Sequence, residues 1–150
     1  MDFLTEWGLF GLFISSFLSA TVIPFSSEFV LSFMILNGFD IYLTILIATI
    51  GNWWGGLSSY LIGRLGKWTI IEKYFGVDKN KVFNFKLKVD RWGSVLAFFS
   101  WLPIIGDVIA VSLGFFRTNF ILVSIWMLLG KILRYIIWGS MTYWSLSILN

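Results

Sequence analysis

The stretch Gly93-Ser-Val-Leu-Ala-Phe-Phe-Ser-Trp-Leu102, Pro103-Ile-Ile-Gly-Asp107, Val108-Ile-Ala-Val-Ser-Leu-Gly-Phe-Phe116 is an apolar run, a polar break and a second apolar run. Ten and nine residues flank the break, so each piece spans roughly 15 Å as α-helix. A hydrocarbon core is about 30 Å thick, and neither piece crosses it alone. Broken backbone is tolerated at membrane depth only inside protein or beside a wet cavity. A re-entrant hairpin fits these constraints. After the turn Arg117-Thr118-Asn119, the run Ile121 to Trp144 is long enough for a full span.

The N-terminal half repeats this plan. Trp7 to Ile23 is apolar, Pro24-Phe25-Ser26-Ser27-Glu28 breaks it, and Phe29 to Leu36 is apolar again. The turn Asn37-Gly38-Phe39-Asp40 follows, then Ile41 to Gly63, whose 23 residues reach roughly 34 Å. Here the first arm alone nearly spans, and the return arm does not. A shift of 79 positions pairs Pro24 with Pro103, Glu28 with Asp107, Asp40 with Asn119 and Gly51 with Gly130. Identity elsewhere is low, so the repeat rests on shared landmarks.

One crossing separates the two units, which gives them opposite orientations, as in transporters whose broken helices meet at the midplane. The expected fold is therefore an all-α integral membrane protein in a single domain. Two inverted repeats, 7–63 and 93–146, each comprise a re-entrant helical hairpin followed by a transmembrane helix, with a basic linker over 64–92. Eight of the eleven Lys and Arg fall between Arg64 and Arg91, so the positive-inside rule makes this segment cytoplasmic and leaves the termini outside. Within it Val82, Phe85, Val89 and Trp92 share a helical stripe, predicting a helix on the membrane surface.

Composition agrees. Apolar residues make up 58% and charged residues 13%, well away from a soluble globule. The acidic start, Met1-Asp2-Phe3-Leu4-Thr5-Glu6, lacks a basic n-region, so the first apolar stretch is expected to remain in the mature protein. Cysteine and histidine are absent, which removes thiol and imidazole catalysis and ordinary zinc or haem sites. No metal, cofactor or catalytic residue is expected.

The residues with chemistry are few. Glu28 and Asp107 each follow a proline by four residues, at the expected hairpin tips. A carboxylate at membrane depth needs a partner or a cavity and is a candidate for proton coupling; each acid also suits a helix N-terminus as a cap. Lys131 and Arg134, three apart and on one helix face, are the natural counter-ions or a site for an anionic head group; a static ion-pair network is the structural alternative. Gly51, Gly55, Ser59 and Gly63 recur every four residues and favour close helix packing, and Gly130 repeats Gly51 in the second half. Asn52 stands where the second half has Lys131, as an inter-helix hydrogen bond or a cavity residue. Asp40 and Arg117 sit in turns where solvation explains them.

Phe17-Leu-Ser-Ala-Thr-Val-Ile-Pro24-Phe-Ser-Ser-Glu28 resembles the first hairpin of the DedA-family membrane proteins, which include the SNARE-associated Golgi proteins. Gly51-Asn52 with Gly55-Gly56, Ser100-Trp-Leu-Pro103-Ile-Ile-Gly-Asp107, Gly130-Lys131 and Arg134-Tyr135 resemble its YqaA subgroup, and the likeness covers nearly the whole chain. It implies inverted re-entrant hairpins in a prokaryotic inner membrane and a role in moving lipids between leaflets, as flippase or scramblase, in some members linked to proton-motive force. Glu28 matches the family's hairpin acid, and Asp40 resembles a second acid. Larger members flank the second-hairpin proline with arginines; Ser100 and Gly106 stand there in this chain. Phosphate binding then falls, as an expectation, to Lys131 and Arg134.

A lipid translocase leads, with membrane lipids as partners, no nucleic acid, and a homo-oligomer as an option. Proton-coupled transport of a small solute or ion is the alternative within transport, and a non-transporting membrane scaffold the alternative outside it. An enzyme is not expected: Ile104-Ile105-Gly106-Asp107 lacks the first glycine of the Gly-x-Gly-Asp of intramembrane aspartyl proteases.

Overall fold

The computed structural model describes residues 3–20, 26–66, 69, 72–73, 76, 78–103 and 105–149. Pro24 lies outside them. Among the described residues every regular element is helical: α1 (Phe3–Ser19), α2 (Ser26–Leu36), α3 (Ile41–Arg64), α4 (Lys79–Trp92), a 3-10 helix (Gly93–Trp101), α5 (Ile105–Phe115) and α6 (Phe120–Leu149).

The landmarks 79 residues apart do the same local work. α2 and α5 are both 11 residues long, and each ends in a Schellman-type cap, which satisfies the last free carbonyls of a helix. Phe39 N donates to Met34 O and Gly38 N to Ile35 O, both at 3.1 Å; Thr118 N donates to Leu113 O at 3.0 Å and Arg117 N to Gly114 O at 2.9 Å. The cap requires a left-handed residue, and Gly38 (φ 84°) and Arg117 (φ 53°) supply it. Arginine there costs about 1–2 kcal/mol. The next helix is then started by a side-chain cap. Asp40 Oδ1 accepts from Leu43 N at 2.8 Å, and Asn119 Oδ1 accepts from Ile121 N and Leu122 N at 3.0 and 3.1 Å.

Packing follows the same correspondence. α1 lies along α3 and the 3-10 helix along α6, while α5 packs on α3 and α2 on α6. Ser32 Oγ lies 3.2 Å from Thr142 Oγ1. Shifted by 79, these become Val111 and Gly63, where a Cβ on Gly63 would strike Val111 O. Likewise a Cβ on Gly114 would strike Tyr60 O; the shifted pair is Ile35 and Gly139, where Ile35 Cδ1 lies 3.9 Å from such a Cβ. Each return helix thus docks on the long helix of the other half, at matching positions.

The first arms depart from that register. Gly51 packs on Phe13 and Ser16, and its shifted counterpart Gly130 packs on Phe98 and Trp101, so this pairing steps by 85 residues and not by 79. The second arm is also 3-10 and not α. At about 2.0 Å per residue, its nine residues reach further than nine residues of α-helix would.

Among the described helices only Phe120–Ile148 is both long and apolar enough to cross a membrane. α3 matches the expected span in length, at 24 residues, but not in hydropathy. Its Thr44, Thr49, Gly51, Asn52, Gly55 and Ser59 are buried against other helices, so the central helix is less apolar than the outer one. The outer surface is apolar instead: Ile121 and Ile137 on α6, and Phe29 and Phe33 on α2, are between 51% and 75% exposed. Large exposed apolar surfaces mark contact with a membrane or a partner. In α4, Val89 is buried, and it and Phe85 join the core cluster around Ile109 and Val123. That helix is fastened to the protein by one side of the stripe.

Candidate functional site

The long helices set the depth of the site. Ile41 and Trp144 line the same groove, and Trp53 Nε1 donates to Ser124 O at 3.1 Å, so α3 and α6 run antiparallel. One apolar cluster contains Tyr60, Ile109, Val123 and Met127; the other contains Leu12, Leu31, Ala48 and Tyr135. Asn52 falls between Ala48 and Tyr60 on α3, and Lys131 falls between Met127 and Tyr135 on α6. A polar layer is therefore held between two apolar ones.

In that layer the corresponding residues of the two halves touch. Lys131 Nζ donates to Asn52 Oδ1 across a sequence separation of 79. Lys131 is 2% exposed and Asn52 fully buried. Space for the lysine comes from Gly56, where a Cβ would lie 3.1 Å from Lys131 Cε and 2.6 Å from Met127 Sδ. Asn52 Nδ2 donates to Ser16 O at 3.0 Å and to Ser19 Oγ at 2.8 Å. Ser19 Oγ donates to Ser27 Oγ at 3.1 Å, and Ser27 Oγ lies 2.8 Å from Tyr135 Oη. Ser27 Oγ also lies 3.2 Å from Glu28 Oε2, as its donor.

Glu28 completes the series. Its carboxylate, 4% exposed, forms an ion pair with the Arg134 guanidinium. Arg134 also donates to Trp101 O at 3.1 Å and stacks on Tyr135, 5.6 Å from the ring centre. Burying both charges is costly, and the pairing with its extra hydrogen bonds offsets that cost.

Asp107 is placed differently. It is half-buried, within electrostatic reach of the Lys131 ammonium, and lines a small cavity with Lys131, Arg134, Asn52, Pro103 and Ser100. The cavity holds about 10 Å³, room for about one water. Ser100 Oγ is buried there without a hydrogen-bond partner. Buried polar atoms are normally satisfied, and this one is not.

The expected site residues thus divide. Glu28, Asp107, Lys131, Arg134, Asn52 and Pro103 come together. Gly51, Gly55 and Gly130 serve contact: a Cβ on Gly51 would lie 2.6 Å from Phe13 O, and Cβ atoms on Gly55 and Gly130 would strike Phe17 O and Phe98 O. Asp40 stands 12 positions before Asn52 on α3, roughly 18 Å along the helix, and caps it. Pro24 falls outside the described residues. Sequence reading assigned no role to Ser16, Ser19 and Gly56; the spacing of Ser16 and Ser19, one turn apart on an apolar helix, was the available signal.

A groove of about 990 Å³ opens between α3 and α6, from Ile41 and Trp144 to Trp53 and Leu128, with no charged residue in its lining. Thr49, Ile50 and Ile132 in its wall neighbour Asn52 and Lys131 in sequence.

This arrangement can be set beside known proteins. The chain is 37% identical over 131 residues to the inner membrane protein YqaA of Escherichia coli K12, covering 85% of this chain and 86% of that one. The chain belongs to the YqaA-like family of DedA-type inner-membrane proteins. A Haemophilus influenzae relative, described as uncharacterized, is 36% identical over 143 residues, covering 90% and 87% of the two chains. An archaeal relative from Methanocaldococcus jannaschii, also described as uncharacterized, is 28% identical over 136 residues, covering 90% and 84%. No family model and no solved structure matches the chain.

Proposed function

We propose that this membrane protein is a transporter that moves an anionic lipid or phospholipid between leaflets, with Asp107 as its proton-coupling group and no catalytic chemistry. In this reading the halves are inverted repeats, each a re-entrant hairpin and a transmembrane helix. The basic 64–92 segment is cytoplasmic and both termini lie outside. Support for the repeat comes from the caps and helix contacts that recur at 79 residues, and from the meeting of Asn52 with Lys131.

The observation that carries the transport reading is the cavity shared by Asp107 and Lys131. An acid and a base line one opening where the two halves meet, and Ser100, whose hydroxyl has no hydrogen-bond partner, is among the residues around it. Glu28, by contrast, is paired directly with Arg134, which also lines this cavity. For lipid as the substrate, support comes from the uncharged groove beside this layer, which suits an acyl chain. The cavity's one-water size favours a second reading, in which a proton or small ion is the transported species.

Lipid movement in proteoliposomes, with and without an imposed pH gradient, tests the proposal by comparing wild type with Asp107→Asn and Glu28→Gln. Gradient-dependent movement lost in Asp107→Asn supports it. Movement indifferent to the gradient makes the protein a scramblase. Absence of movement with every lipid, alongside proton or ion flux, favours the second reading.

A further inference from the structure

Where α4 meets the 3-10 helix, a second groove of about 680 Å³ is walled by Leu87, Val95, Leu96 and Phe99, with Lys88 and Arg91 on its lip and Trp92 at the corner. It is separate from the Asp107–Lys131 cavity and shares no residue with it. Its apolar wall is open: Leu87 is 78% exposed, Trp92 57%, Phe99 45% and Val95 37%.

Phe98 and Trp101 pack on Gly130 of α6, and Phe99, one position on along the 3-10 helix, points out of that contact. On α4, Leu87 and Arg91 are four residues apart and Lys88 and Arg91 three apart, so one helix face carries an apolar group and two cations together. Among the described residues neither cation forms an ion pair. Lys88 Nζ sits 5.8 Å from the Phe85 ring centre and the Arg91 guanidinium 5.7 Å from that of Trp92. Such stacking steadies a cation without neutralising it. Asp90 lies on the same helix and does not line the groove.

We infer that this groove is a docking site for an anionic membrane lipid, its phosphate held by Lys88 and Arg91 and its first methylenes laid against Leu87, Val95 and Phe99. Charge decides the occupant. Two unpaired cations beside an apolar wall match an anionic amphiphile, and they disfavour a second copy of this chain, whose equivalent surface carries the same cations. Juxtamembrane basic residues attract anionic lipid in proportion to their number.

Native mass spectrometry of the full-length protein, titrated with phosphatidylglycerol and with phosphatidylcholine, tests the inference. Lys88→Gln with Arg91→Gln is expected to weaken phosphatidylglycerol retention about 30-fold, from two basic residues near the lipid surface, and to leave phosphatidylcholine unchanged. Lys88→Arg with Arg91→Lys should retain the lipid. Val95→Glu, at an exposed position, should weaken phosphatidylglycerol as well, and excess inorganic phosphate should not displace it. Equal retention by wild type and the double Gln variant overturns the proposal. So does full competition by inorganic phosphate with Val95→Glu binding normally, which would make this a phosphate site and not a lipid one.

Discussion

Glu28 and Asp107 occupy the same position in their two halves, the third residue of an 11-residue helix that follows a proline, and they have opposite surroundings. Glu28 is paired directly with Arg134 and Ser27, whereas Asp107 faces a cavity that it shares with Lys131 and Arg134. The difference starts one helix away. The position that corresponds to Arg134 in the first half is Gly55, where even a Cβ would strike Phe17 O. An arginine therefore exists to lock one acid and there is no room for one to lock the other. In the proposed reading, these unequal partners make Glu28 the anchor and Asp107 the acid that changes protonation.

Breaking the anchor should have the largest effect. Glu28→Gln removes the counter-ion of a largely buried guanidinium, and losing one partner of such a pair costs about 3–5 kcal/mol, read as a lowered unfolding midpoint in detergent. Failure to transport in Glu28→Gln alone therefore does not identify a coupling acid. The double swap Glu28→Arg with Arg134→Glu should recover part of the midpoint if pairing is what the site requires.

Cutting the link between the halves comes next. Asn52→Leu removes the acceptor of the buried Lys131 and the donor to Ser16 and Ser19; stranded polar groups of this kind cost about 1–3 kcal/mol. Asn52→Asp should keep an acceptor for Lys131 and destabilise less. A loss from Asn52→Leu as small as that of a surface substitution would mean the two halves do not depend on this contact.

Asp107→Asn should matter least to stability, about 1 kcal/mol: it removes a charge that acts on the buried Lys131, but that carboxylate is half-buried and opens on a cavity. A midpoint drop as large as that of Glu28→Gln would erase the distinction between anchor and free acid.

The matching landmarks 79 residues apart were legible because caps and acids are local. Asp40 and Asn119, Gly38 and Arg117, and Glu28 and Asp107 are read from residue type and spacing, and they recur at 79 in the folded chain. Lys131 and Arg134 on one face were legible from their spacing. Which base meets which acid was not, because pairing depends on how helices from different halves cross, and Gly55 and Gly56 decide that by the room they leave. The first arms were misjudged for another reason. Apart from Ser94 and Ser100, Gly93–Trp101 is apolar, so little periodicity separated 3-10 from α-helix, and landmarks counted from the prolines do not set the register of the arms before them. Serines 16 and 19 were hidden by a run whose average is apolar.

Gradient-driven lipid movement by Asp107→Asn in proteoliposomes, with its unfolding midpoint measured on the same preparation, tests the division of labour most directly. The account predicts a midpoint close to that of wild type and loss of the gradient-dependent movement. Wild-type movement in Asp107→Asn, with movement lost in a Glu28→Gln protein that remains folded, would contradict it and make the anchored acid the working one.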